Sequence, residues 1–243
     1  MPIYPTNILF VLTGIFLATF CRNRYSSYKK NPSNHITYYY FLASLFVSIA
    51  LFTYGLPIFF TNNQNILSVF TIIALILNAI GFNHFFLITL YTWLSRRSYV
   101  IAKYILFIFV VILTGLMVIN PPIPTLDNYN VIHWGFSPIV GILAAVHMDI
   151  VFASNIILIM MHFYRLKKLS IMNSTSLIIT FIITGLSGSY LYAGNTTIGL
   201  FFSSIMLYLG IATIFFSVVH GAMNRILEWQ IGDGGYVELK EKV

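Results

Sequence analysis

Charge is what this sequence has least of: 8% of its 243 residues are charged, against 58% hydrophobic. A soluble domain needs roughly a quarter of its residues charged to solvate its surface. The composition therefore excludes a soluble protein and points to an integral membrane protein whose first partner is the lipid bilayer. Acidic residues are the scarcer sign, 6 against 13 basic. The net charge of +7 does not indicate nucleic acid, because the basic residues stand at the ends of apolar runs. There they act as topology signals, and no basic face interleaved with aromatics lies elsewhere. Cysteine is reduced to Cys21 alone, which excludes an internal disulfide and any cysteine-based metal or redox motif. There is no HExxH or clustered-histidine pattern for a metal, and no serine, cysteine or paired-carboxylate constellation for hydrolysis. No lysine lies between Ile198 and His220, where a retinal Schiff base would require one. Gly232-Asp233-Gly234-Gly235 lacks the strand, helix and lysine of a phosphate-cradling loop and reads as a turn. The expectation is no enzyme, no cofactor and no metal.

What is present is a succession of apolar runs near the roughly 20 residues that span the hydrocarbon of a bilayer. They occupy about residues 6–21, 34–55, 66–94, 99–119, 135–168, 176–193 and 198–223. The first lacks a basic leader and a small-residue cleavage site, so it is read as a retained helix. Asn120-Pro121-Pro122 stops the fourth, since proline removes the helical donors. Tyr38, Tyr39 and Tyr40 enter the second at interfacial depth. Basic residues close alternate runs: Arg22, Arg24, Lys29 and Lys30 after the first, Arg96 and Arg97 after the third, Arg165, Lys167 and Lys168 after the fifth, Arg225 after the seventh. Of charged side chains, the opposite side carries Asp127. By the positive-inside rule the fold is expected to be all-α, a polytopic seven-transmembrane-helix bundle with its N-terminus outside and C-terminus cytoplasmic. The transmembrane domain is read as residues 1–225, and residues 226–243 as a short polar cytoplasmic tail. The sixth run is rich in Thr, Ser and Gly, which allow close approach of backbones, so it is expected among its neighbours.

Ionisable side chains at hydrocarbon depth require a partner or a task, because an Asp near a helix centre costs about 2.5–3.5 kcal/mol to insert. The fifth run holds His147, Asp149, Ser154 and Asn155, and the third holds Asn78, Asn83 and His84. Counting inward from the basic residue at each end, His147 falls level with Asn78, and Ser154 and Asn155 fall with His84. At 100° per residue, His147, Ser154 and Asn155 lie within about 80° of one another and Asp149 about 160° from His147. His147 and Asp149 therefore face different parts of the bundle, or one of them lines a water-filled pocket open to the outside, and their partners are sought on other helices, first around Asn78 and His84. The six candidates for ligand binding or proton sensing are His147, Asp149, Asn78, His84, Ser154 and Asn155. The competing reading is that these groups hydrogen-bond helices together, each bond worth on the order of 1 kcal/mol. A bis-histidine haem between His84 and His147 would need axial ligands about six residues apart in depth, an awkward pairing. His162 and His220 lie near inner ends, at the interface.

FLITLYTWLSRRSYVIAKYI at the third-to-fourth passage, VINPP closing the fourth run, HWGFSPIVGIL entering the fifth and the loop lengths that follow resemble the N-terminal seven-transmembrane sensor region of bacterial histidine kinases. That resemblance implies a receptor in the bacterial plasma (inner) membrane that binds a small-molecule signal and displaces its seventh helix inward. No coiled coil, phosphoacceptor helix or ATP-binding domain follows in this sequence, so the signal is expected to pass to a separate cytoplasmic signalling protein. Two other classes compete: a small-solute transporter or channel, and an accessory or assembly subunit of a larger membrane complex.

Overall fold

The computed structural model describes residues 4–166 and 171–219. Lys167, Lys168, His220, Arg225 and the boundary between residues 225 and 226 lie outside them. Within them the chain is all-helical apart from one hairpin: α1 (Pro5–Lys30), α2 (His35–Gly55), a 3-10 turn (Pro57–Phe59), α3 (Gln64–Trp93), α4 (Arg96–Ile119), β1 (Thr125–Leu126), β2 (Ile132–His133), α5 (Pro138–Leu166), α6 (Ile171–Ala193) and α7 (Thr197–Val219). Six of the described helices are long and apolar enough to cross a membrane, and Thr197–Thr213 is a shorter apolar stretch.

The helix ends follow from local chemistry. Pro5 opens α1 at a position where its missing N–H costs nothing. The Asn34, Asn63 and Ser95 side chains accept hydrogen bonds from the first free N–H groups of α2, α3 and α4. One expected boundary is corrected: α1 runs on past Cys21 to Lys30. Residues 22–30 contain no glycine or proline, and Lys29 and Lys30 in the last turn favour its carbonyl end. The basic residues expected after the helix therefore lie on it, and the Arg24 guanidinium sits 5.2 Å over the Phe20 ring.

Consecutive helices pack side by side, through short connections except between α4 and α5, where residues 120–137 intervene. The chain closes a ring, with α1 against α2 and α7, α2 against α3, α3 against α5, α5 against α6, and α6 against α7. Helix α4 leans on α3 and α5 from outside and buries only Val110, Leu113 and Met117. In lipid, where tails are as apolar as leucine, close packing and interhelical hydrogen bonds hold such a ring together. The α1–α2 seam shows both. Asn7 donates its amide to the carbonyls of Tyr54 (3.2 Å) and Gly55 (3.4 Å), and Ser48 donates to Gly14 O at 2.8 Å. A Cβ on Gly55 would stand 3.0 Å from Asn7 O and 2.8 Å from Val11 Cγ2, so only glycine admits this approach. In α6, Thr180, Thr184, Ser187 and Ser189 are buried as expected.

Candidate functional site

The polar side chains of α3 and α5 meet, but not in the expected register. His147 is buried and its Nε2 lies 2.8 Å from Asn83 Oδ1, not beside Asn78. Asn83 also donates Nδ2–H to the α4 carbonyl of Leu106 at 3.0 Å. A carbonyl can only accept, so the amide orientation is fixed, and His147 must carry its proton on Nε2. Asn83 thus joins three helices at one point. The His147 ring packs against Phe109 at 4.7 Å and Phe82 at 6.4 Å between centroids. The slip of five residues arises because the basic residues used as depth marks are not level: Arg96 opens α4 rather than closing α3.

The other expected layers are not formed. His84 bonds through Nδ1 to its own-helix carbonyl Ile80 O at 2.7 Å and stacks on Phe46 of α2. Ser154 and Asn155, both buried, donate to Val151 O one turn back, at 2.7 and 2.8 Å. Neither reaches His84, because each spends its donor on its own helix. Asp149 is exposed on the outside of the ring, where Ser189 of α6 donates to its Oδ1 at 2.6 Å. The helical phase separates it from His147 as expected, but its partner is neither Asn78 nor His84, and it does not face the interior of the ring. Among the described residues no group of three or more His, Cys, Asp or Glu side chains could hold a metal ion.

The interior holds a cavity of about 50 Å³. Every helix except α4 contributes to its wall: Phe10 from α1, Tyr54 from α2, Asn78 and Phe82 from α3, Met148 from α5, Tyr192 from α6, Leu207 and Ile211 from α7. None of its lining residues is charged. Of the six sequence candidates only Asn78 lines it. Asn78 donates its amide N–H to the Tyr192 hydroxyl. That leaves Asn78 Oδ1 buried with no hydrogen bond. The Tyr54 and Tyr192 hydroxyls lie against each other and interact as a hydrogen-bond pair off ideal geometry. A buried polar group without a partner costs roughly 1–3 kcal/mol. Asn78 Oδ1, on a residue of the cavity wall, is the polar atom there for which the fold supplies no donor.

Trp134 lines the cavity, edge-on against Tyr54 at 4.6 Å and 5.9 Å from Phe10. It directly follows the β1–β2 hairpin. Asp127 builds the hairpin turn: its Oδ1 accepts from the N–H groups of Tyr129 (2.8 Å) and Val131 (3.0 Å). Its Oδ2 accepts from Thr197, the first residue of α7, and lies 3.2 Å from His133 Nε2. Partial burial alone would raise the Asp127 pKa, but the bonds from Thr197, Val131, Tyr129 and His133 outweigh it and hold the carboxyl below its ordinary value. The clamp therefore keeps its charge, and its grip on α7, into more acid conditions than a free aspartate would.

Compared with protein-family models, with curated proteins and with solved structures, the chain finds no match. Function must be read from this geometry. Sequence reasoning missed Tyr54, Tyr192 and Trp134 because aromatic residues near helix ends read as interfacial belts. Asn83 and Ser189 were noted but not assigned. For Ser189 a signal existed, since it stands in the small-residue run of α6, the helix that packs along α5.

Proposed function

We propose that this chain is a non-enzymatic, seven-helix membrane sensor with its N-terminus outside and its C-terminus in the cytoplasm. It holds a small neutral signal molecule in the cavity between Tyr54 and Asn78 and passes a displacement of α7 to a separate cytoplasmic protein. The observation that carries this reading is the buried Asn78 Oδ1, left without a donor, on a residue that lines an uncharged cavity. Burying an ion there without a counter-charge would be prohibitive, so the signal is neutral. Asn78 Oδ1 calls for an N–H or O–H donor, and the Tyr54 hydroxyl can donate in return. The cavity size limits the bound part to a few non-hydrogen atoms, since one water's share of liquid is about 30 Å³. Leu207 and Ile211 place α7 in contact with the occupant, and the Asp127–Thr197 clamp ties the same helix to the hairpin that carries Trp134. In this reading Asn83 and His147 are the cross-helix joint beside the site rather than ligand contacts.

Acetamide, a neutral probe with one donor and one acceptor end, tests it. The full chain in lipid nanodiscs is expected to gain thermal stability with rising acetamide concentration, as any ligand selective for the folded state must produce. Asn78→Leu should remove that gain. Proteoliposomes should show no acetamide flux beyond that of protein-free liposomes. An equal gain in Asn78→Leu would refute the site, and protein-dependent flux would favour the transporter reading instead.

A further inference from the structure

Asp149 occupies a position that the cavity does not explain. It lies eleven residues inside α5, which spans Pro138–Leu166, hence about 16 Å from that helix end at 1.5 Å per residue. That is close to the middle of a hydrocarbon layer about 30 Å thick. Its side chain nevertheless points out of the ring, amid Ile142, Val146, Ile150 and Ile157 of α5 and Leu186 of α6, all 47–64% exposed. The Ser189 hydroxyl is its only hydrogen-bond donor among the described residues, leaving the other carboxylate oxygen without one. A carboxylate at this depth belongs in a bundle interior or against an opposite charge, and here it stands in the centre of a face that otherwise suits lipid.

We propose that the outer face of α5 and α6 around Asp149 is a docking surface for a membrane-spanning helix of another protein that carries a lysine or arginine at mid-bilayer depth. Charge complementarity selects this occupant. A second copy of the chain would not supply the cation, because the basic residues cluster at helix ends. Lys103 lies only seven residues inside α4 and Arg22 eight residues inside the end of α1, and their flexible stems carry the charge toward the nearer interface. A twofold pairing would set Asp149 against Asp149. The apolar neighbours then supply packing and Asp149 supplies register, as a single polar group does in other helix pairs. This surface is independent of the cavity, and its test does not depend on any ligand.

The test uses the full chain, fluorescently labelled at its C-terminus, in lipid vesicles with synthetic single-span Leu/Ala peptides. These differ only at the central residue, which is Lys, Leu or Glu, and association is read by energy transfer. The Lys peptide is expected to bind the unaltered chain about tenfold more tightly than the Leu peptide. Asp149→Asn should abolish that preference, and Asp149→Lys should transfer it to the Glu peptide, which also shows that the altered chain is folded. Equal binding of the Lys and Leu peptides, or an undiminished preference in Asp149→Asn, would overturn the proposal. So would Asp149-dependent dimers of the chain in the absence of peptide, counted by single-molecule photobleaching, which would assign the face to a second copy.

Discussion

Replacing Asn83 by leucine should destabilise the bundle by about 3 kcal/mol, the largest loss expected from any single polar side chain. The change removes two interhelical bonds, to His147 and to Leu106 O. Such bonds average about 0.6 and reach about 1.7 kcal/mol each in membranes. It also strands a buried imidazole N–H, at roughly 1–3 kcal/mol if nothing else reaches it, while Leu106 O keeps its bond within α4. His147→Phe offers the contrast. It breaks one bond and leaves Asn83 Oδ1 without its donor, while an aromatic ring remains between Phe82 and Phe109, so about 2 kcal/mol is expected. Reversible unfolding in mixed micelles separates the two. If Asn83→Leu costs no more than His147→Phe, Asn83 is not a joint between three helices.

Gly135→Val is expected to be comparably severe but confined to the hairpin end. Gly135 has φ +63°, and a Cβ there would lie 2.2 Å from Ile123 O and 2.7 Å from Ile123 C. Both are backbone atoms, so no side-chain rotation relieves the contact, and a β-branched residue in this region is an outlier even without it. Such strain is worth about 1–3 kcal/mol. The backbone is expected to escape by breaking the Ile123 N–H to Gly135 O bond, now 3.2 Å, which shifts the adjacent Trp134 away from Tyr54. The readout is tryptophan emission, which should move to longer wavelength as Trp134 leaves its buried position. Unchanged emission would mean that the turn does not set the place of Trp134.

The helices were legible in the sequence because apolar length, proline stops and basic closures act locally. Contacts between helices were not, since depth counting assumes level ends. Arg96 belongs to α4 and α1 continues to Lys30, so the marks were staggered and Asn83 took the place expected of Asn78. Phase proved more transferable than depth: the 160° between His147 and Asp149 separates their surroundings here. What phase could not say is which side faces the ring, because α5 offers isoleucine and valine on both. The cavity was illegible for a different reason. It is defined by Tyr54, Tyr192 and Trp134, residues from distant parts of the chain whose hydroxyls and rings carry no spacing signal.

The most direct measurement is quenching of Trp134 as the lone tryptophan, in the full chain carrying Trp93→Phe and Trp229→Phe. Acrylamide, a neutral amide, should quench it with a saturating component, while iodide, of similar reach but charged, should not. Gly188→Val should weaken the acrylamide effect severalfold, because a side chain there meets the flexible end of Met148 and pushes it into the cavity. Quenching by iodide as strongly as by acrylamide, or acrylamide quenching undiminished in Gly188→Val, would contradict a neutral ligand site beneath Trp134.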